Sequence, residues 1–577
     1  MQRNIVMKQL LVTGIVLSAG APVTAFAQTA SQITPSTLAP PVRQAQGRVE
    51  LPQGGGPETP PGAEALEVTL GDLTVEGAAV DPTALAELRT ALLGKRIHVS
   101  DIYAAARALE AHYAQAGQVL VRVTVPPQQL DDGTTLKLIL TPGFIERIDA
   151  TAVPARVRSR VAATLQKLVG DSTVTLAAIE RALLLAGDLP GLRLRSTLAP
   201  GSQVGATVLV LDGTHRPVTM QLSLDNGLSE SLGRYGAGLG YTFNSALGLG
   251  ETLYLRASGY PNTTKNRSIL DPSPRNRLLA AGVVLPLGND GLTLTAEAVE
   301  SRAAPRRLRS QPGFGSRFRR LSVRVRDPLL RSRATNIAVT AAFDAQREAV
   351  SIIAPVDFPL SLDELRVARG GVDAVTVLPW GGTVSTSVQA SFGIDGLGAR
   401  SARDASRLLP LSRVGSDAGF VKLDVSAGLE QPLGRHAEVG VQARAQTGFG
   451  DALANAEQFG IATAYDLSPL PVGTLQGDSG ATMRGELRAP FTYVDANSFG
   501  RITPYVFGAW GTVHYVHPTV VERQRTGAYA YGLGARLNTG AVAGSPAVAA
   551  SVEYGRAGVD GLRREANRFL FSVSTSF

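Results

Sequence analysis

At 577 residues the chain exceeds one ordinary globular core, so two or more domains are expected. It has no cysteine, which excludes disulfide frameworks, thiolate metal sites and cysteine nucleophiles. The net charge of +8 is spread along the sequence, and the densest basic run, "RRLRSQPGFGSRFRRLSVRVR" (306–326), alternates with apolar residues and carries just two aromatics, Phe314 and Phe318, so no nucleic-acid partner is expected.

Residues 1–27 have the layout of an export signal. Arg3 and Lys8 supply positive charge, "LLVTGIVLSAG" is the apolar region, and Ala25-Phe26-Ala27 is an A-x-A cleavage site. The mature chain is then expected to begin at Gln28, outside the cytoplasm. The apolar run is too short to span a bilayer, and Met7 offers a more compact start than Met1. Residues 28–65 are rich in Pro, Gln, Gly and Thr and read as a flexible lead-in. The alternative, a short helix buried elsewhere in the fold, is disfavoured by the prolines.

Residues 66–142 alternate element types. "LEVTLGDLTVEG" is strand-like, and "DPTALAELRTALLG" carries Asp81 at the N-cap, Pro82 at N1 and a closing Gly94. "SDIYAAARALEAHYAQAG" opens at a Ser100 cap, with Ile102, Ala106, Leu109 and Tyr113 at helical spacing. "QVLVRVTV" and "TTLKLIL" complete a β-α-α-β-β order. Residues 143–213 repeat that order, from "GFIERIDA" to "GATVLVLDG". Such a small unit leaves a strand edge able to accept an extended peptide.

Over 214–577 the helical period gives way to period-two alternation in segments of about ten residues. Val421, Leu423, Val425, Ala427 and Leu429 share one face, opposite Lys422, Asp424, Ser426 and Glu430. The basic run follows the same rule, with Leu321, Val323 and Val325 against Ser322, Arg324 and Arg326. Ten-residue strands with one apolar and one charged face fit a transmembrane barrel better than a soluble sandwich. Sixteen strands are predicted, among them 318–327, 335–346, 363–376 and 480–490. Short turns alternate with long loops near 261–277, 302–317, 347–362, 395–417 and 450–479. The last strand puts Phe569, Phe571, Val573, Thr575 and Phe577 on one face, towards lipid, and Phe577 doubles as an assembly signal.

The tetrapeptide Gly477-Asp478-Ser479-Gly480 is also found around the nucleophile of trypsin-like proteases. The only upstream histidine in a strand-dense region is His436, in a tight turn, and Ala481 stands where a further glycine belongs. The tetrapeptide instead closes the longest loop and opens the strand "ATMRGELRAPF". The "HYVH" pair of His514 and His517 is a weak metal signal and reads as surface histidines. No G-x-x-x-x-G-K-[ST] occurs, and neither a catalytic site nor a cofactor is expected.

Several stretches resemble the two-partner secretion transporters, the outer-membrane haemolysin and haemagglutinin secretion/activation proteins. "YAQAGQVLVRV" (113–123) and "VPPQQLDDGTTLKLILTPGFIERI" (125–148) resemble the join between the family's two POTRA domains. "DPLLRSRATNIAV" (327–339) resembles a barrel turn. "EQFG…LQGDSGATMRGELRAPF" (457–491), with Tyr465, Asp466 and the GDSG, resembles its long sixth loop and returning strand.

The resemblance implies a mostly β protein: a 16-stranded antiparallel outer-membrane barrel behind two periplasmic α+β POTRA domains. It implies export of a large exoprotein, such as a haemolysin or adhesin. The implied partners are that exoprotein, outer-membrane lipid and lipopolysaccharide, and the barrel-assembly machinery during biogenesis. The same superfamily includes membrane-protein insertases, which usually carry more than two POTRA units, whereas a passive porin needs none. One feature departs from the family. Its sixth loop carries a Val-Arg-Gly-aromatic tip whose arginine pins it inside the barrel. The corresponding positions are Leu467-Ser468-Pro469-Leu470, or place Thr463 at the arginine, so an anchoring of a different kind is expected.

Overall fold

The computed structural model describes residues 28–41, 49–50, 57–78, 80–261, 269–307, 312–495, 498–520, 522–540 and 546–577. Ala25 and Ala27, and the remainder of the export signal, lie outside the described residues.

In the first α+β unit, helix Pro82–Leu92 starts where Asp81 accepts the Thr83 N–H at 2.7 Å. Its Ala84, Leu88 and Leu92 form a buried stripe against Ile102, Ala106 and Leu109 of helix Val99–Gln115. That second helix begins one residue before the expected Ser100 cap, because the His98 N–H donates to Asp101 at 2.9 Å. The predicted strand "LEVTLGDLTVEG" is split into Glu67–Thr69 and Asp72–Gly77. Between them Gly71 lies against the Gly133 carbonyl, where a Cβ would sit 2.4 Å from that oxygen. Of "QVLVRVTV" only Arg122–Thr124 is strand. Leu120 instead packs into the core of the second unit, which ties the two units together.

The second unit has the β-α-α-β-β order, with helices Ala155–Leu165 and Leu176–Gly187 over strands Phe144–Ala152, Leu192–Pro200 and Ala206–His215; the first unit adds a short strand, Arg96–His98, between its helices, paired with Glu67–Thr69. The outer edge of Leu192–Pro200 is not left open along its whole length. The backbone of Val49–Glu50 runs parallel to it, opposite Ser196 and Thr197.

From Val218 the described strands close a barrel, the first pairing with the last through Gln221↔Ser576 to Asp225↔Ser572. Ser479–Arg488 and Phe491–Asp495 both pair with Ser498–His514 and are halves of one stave, broken at Ala489 and Pro490, so the wall has sixteen strands. The pleat sends successive side chains to lumen and exterior. Lys422, Arg484 and Glu486 are buried inside, whereas Leu321, Val323, Met483 and Leu487 are exposed outside.

Two loop expectations are corrected. Strands Gly313–Arg331, Thr335–Ala354 and Phe358–Val377 run far beyond what a bilayer requires. The expected loop at 347–362 is thus mostly ladder, with only residues 355–357 outside strands. Pro359 is accommodated at a register shift opposite Ser351, where the ladder is already interrupted. The expected loop at 302–317 shortens for the same reason: pairing continues past the membrane-sized segment.

The barrel's near end meets the second unit. Arg331 bonds Asp188, Arg333 bonds Glu180 at 3.4 Å, and Arg181 donates to the carbonyls of Pro328 and Leu329 at 3.0 and 3.2 Å. Lys167 meets Asp290 in the turn between strands Asn276–Pro286 and Thr293–Ala303.

Candidate functional site

The lumen is crossed by two segments that are not part of its wall. The first is the N-terminal stretch, a correction to the flexible lead-in over residues 28–41. Ser31–Ile33 forms a short 3-10 turn, and Gln28, Thr29 and Ala30 are buried. Its backbone is held by lumen-facing polar side chains. The Ala30 N–H donates to Ser316 Oγ at 2.6 Å, and the Ser31 N–H to Glu348 Oε1 at 3.0 Å. The Leu38 N–H donates to Glu297 Oε2 at 2.8 Å, and Arg320 donates to the Pro35 carbonyl at 3.1 Å. Gln28 bonds the Val472 carbonyl and Ser229 near the outer end. The prolines do not prevent this, because one turn needs few N–H donors and Pro35 and Pro40 follow it.

The second segment is the sixth outer loop, between strands Glu438–Thr447 and Ser479–Arg488. It folds inward and is fixed at three depths. Glu457 is fully buried and receives Arg369 at 2.6 Å, Lys422 at 3.0 Å and Gln346 at 2.9 Å. A buried carboxylate is tolerable only with such partners. Asp466 accepts from Arg444 at 2.6 Å and from Thr463 Oγ1 at 2.6 Å. Ser468 bonds Glu553 and accepts from Arg484 at 2.7 Å. Arg484 also reaches Glu553 at 2.6 Å and lies over the Phe507 ring at 3.8 Å. Ile461, Leu467 and Leu470 pack on Tyr505, Phe507 and Ala530 of the wall. The anchoring is therefore an acid on the loop gripped by bases on the wall.

The tetrapeptide completes this loop. Asp478 is 0% exposed and accepts the N–H groups of Leu453 at 3.0 Å and Val516 at 2.8 Å. Ser479 Oγ accepts the Gly448 N–H at 3.1 Å, whereas His436 lies in the turn at the opposite end of the barrel. Gly477 and Gly480 permit close backbone approach: a Cβ would lie 2.8 Å from the His514 carbonyl and 2.6 Å from the Thr512 carbonyl respectively. Of the other sequence-selected residues, Tyr465 is 74% exposed at the loop surface, beside buried Asp466. Phe569 and Phe571 lie on the exterior of the closing strand, and the Phe577 N–H bonds the Met220 carbonyl across the seam at 2.9 Å. The sequence reading missed Arg369 and Glu348, and it singled out the loop stretch from Glu457 and the tip position Ser468 without their partners. Alternation set Lys422 on the charged face, but not what it would meet.

A closed outer-membrane barrel, two α+β units docked at its near end and a lumen crossed by non-wall segments together define a POTRA-barrel transporter. A family model described as haemolysin secretion/activation protein ShlB/FhaC/HecB matches residues 205–537, and one described as POTRA domain, ShlB-type, matches 68–143. The first spans more than half of the chain, which belongs to this haemolysin secretion/activation family of outer-membrane transporters with periplasmic POTRA domains.

Among curated relatives, the heme/hemopexin transporter protein HuxB of Haemophilus influenzae is 26% identical over 173 residues, a stretch that covers 30% of each chain. Among solved structures, CdiB from Escherichia coli is 20% identical with a TM-score of 0.66, covering 100% of this chain and 97% of that one. CdiB from Acinetobacter baumannii is 15% identical with a TM-score of 0.57, covering 100% and 98%. BamA from Haemophilus ducreyi lacking POTRA domains 1-3 is 10% identical with a TM-score of 0.51, covering 89% and 100%. At these identities the structural likeness establishes the fold alone.

Proposed function

We propose that this protein is the transporter of a two-partner secretion pair, passing an unfolded exoprotein from the periplasm through the barrel lumen to the cell surface. One observation carries the reading. The lumen is blocked by two segments held by side-chain bonds, while the wall closes without them. A path that can be vacated without breaking the barrel suits gated passage of a chain, whereas a passive pore has no use for the two docked units. The charged inner face keeps that path hydrated.

The exoprotein docks on the periplasmic units by adding a strand to an edge. The Leu192–Pro200 edge, now partly taken by the chain's own Val49–Glu50, is the candidate. The cargo is a large secreted protein such as a haemolysin or adhesin. The transporter itself catalyses no covalent step, and barrel-assembly machinery inserts it.

The test is secretion of the cognate exoprotein with and without this gene, and with residues 66–212 deleted. The expected result is loss of secretion in both cases, with channel conductance retained in the deletion. Secretion that survives the deletion would overturn the proposal.

A further inference from the structure

The exterior of the barrel carries a feature that transport through the lumen does not use. Glu300, Arg319, Arg347 and Glu364 are direct cross-strand partners, forming one lateral row over four strands. Their side chains share the face of Leu321 and Val323, the face that turns to lipid. Glu300 alone has four guanidiniums around it: Arg317 at 2.6 Å, Arg302 at 2.8 Å, Arg277 at 3.9 Å and Arg319 at 4.0 Å. Glu364 holds Arg347 at 2.7 Å.

The carboxylates are outnumbered, and the register makes this unfavourable. Arg319 stands directly opposite Arg347, and Arg277 opposite Arg302. Like charges directly opposite each other on adjacent strands destabilise a sheet, so the patch is short of anions.

Below the row the wall is concave. Ala281, Ala298, Leu321 and Ala345 line a groove of about 850 Å³, with Arg319 and Arg347 above them, Leu279 level with those two and Arg366 beside Ala345 at the level of the floor. The row forms the outer border of the apolar face: towards the near end Arg319 is followed on that face by Leu321, Val323 and Val325, and Arg347 by Ala345, Phe343 and Ala341. The arginines therefore lie at the outer-leaflet headgroups and the groove among the acyl chains.

We propose that this groove is a binding site for lipopolysaccharide, with the lipid A phosphates on the arginine row and an acyl chain on the Leu/Ala floor. Arginine forks match phosphate bidentately. Four adjacent strands spread the charges over about 15 Å, since neighbours lie about 4.8 Å apart. That width suits two phosphates on one acylated disaccharide better than the single phosphate of a glycerophospholipid.

The test uses the full-length protein in detergent, with native mass spectrometry after addition of bisphosphorylated lipid A, its dephosphorylated form or phosphatidylglycerol. The wild type is expected to hold one lipid A under conditions that strip the other two. R317Q/R319Q/R347Q is expected to lower lipid A retention at least tenfold. A298W, which fills the floor, should lower it while leaving every charge in place. Equal retention of lipid A and phosphatidylglycerol would overturn the site, as would wild-type retention by either variant. Should the triple Gln variant not fold, R317K/R319K/R347K takes its place. It keeps the charge without the fork, and undiminished retention there would count equally against the site.

Discussion

Arg331 of the barrel wall and Asp188 at the end of helix Leu176–Gly187 form a two-pronged bridge, Nε to Oδ2 at 2.7 Å and Nη2 to Oδ1 at 2.8 Å, with both side chains largely buried. Together with Arg181 and Lys167 it clamps the second α+β unit to the turns of the barrel. Asp188→Ala takes the two-pronged carboxylate from a buried guanidinium that also holds Asn336 Oδ1 at 2.8 Å, for which a loss of up to about 3 kcal/mol is typical. We expect faster proteolysis between unit and barrel in this variant. Arg331→Met in the Asp188→Ala background should restore part of the loss, because it removes the uncompensated charge. Protection equal to wild type in the single variant would show that the bridge does not clamp.

Glu457 sets the resting position of the sixth loop through Arg369 and Lys422. Glu457→Gln keeps the shape and removes the charge that both bases face. The loop should leave the lumen more often, seen as longer open dwell times in planar bilayers. Traces indistinguishable from wild type would show that this contact does not hold the loop.

The Arg444–Asp466 pair can be exchanged. Arg444→Asp alone puts two carboxylates together, and Asp466→Arg alone two guanidiniums. Each should raise open probability, and the double exchange should bring it back towards wild type. A double variant as leaky as the singles would assign the anchoring to Ser468 and its Glu553 contact instead.

Removal of residues 28–41 takes away every partner that Ser316 and Glu348 have on the N-terminal segment. The barrel closes without this segment, so the variant should still reach the membrane folded, with raised single-channel conductance. Unchanged conductance would mean that the sixth loop alone closes the pore.

Gly143, at the join of the two α+β units, has no room for a side chain. A Cβ there would meet the Leu120 carbonyl oxygen at 1.9 Å. Gly143→Ala forces that backbone apart and should lower stability by about 1–3 kcal/mol, the usual range for overpacking. Thermal unfolding followed by helical circular dichroism, a signal that comes mainly from the POTRA units, measures it.

The alternation of side chains was enough to place the barrel, because each strand carries its two faces in its own residues. Val421 to Leu429 face out and Lys422 faces in whatever the neighbouring strands are. Helix stripes such as Ala84, Leu88 and Leu92 were legible for the same reason. The lumen contents were not. Glu457 and Arg369 are far apart in sequence, and neither residue type nor local period announces that they meet. Residues 28–41 look like a solvated linker until Glu348 and Ser316 are brought to their backbone. The strand ends beyond the membrane were lost as well, since pairing there depends on the partner strand and not on an apolar face.

Local period, caps and turns are written into short windows, so the order of elements and the two faces of the wall were determined by the sequence alone. Which acid meets which base inside the cylinder, and which arginines gather on one patch of its exterior, was decided only when closure fixed the register between strands. A cross-strand contact is set by both chains and by the shear between them.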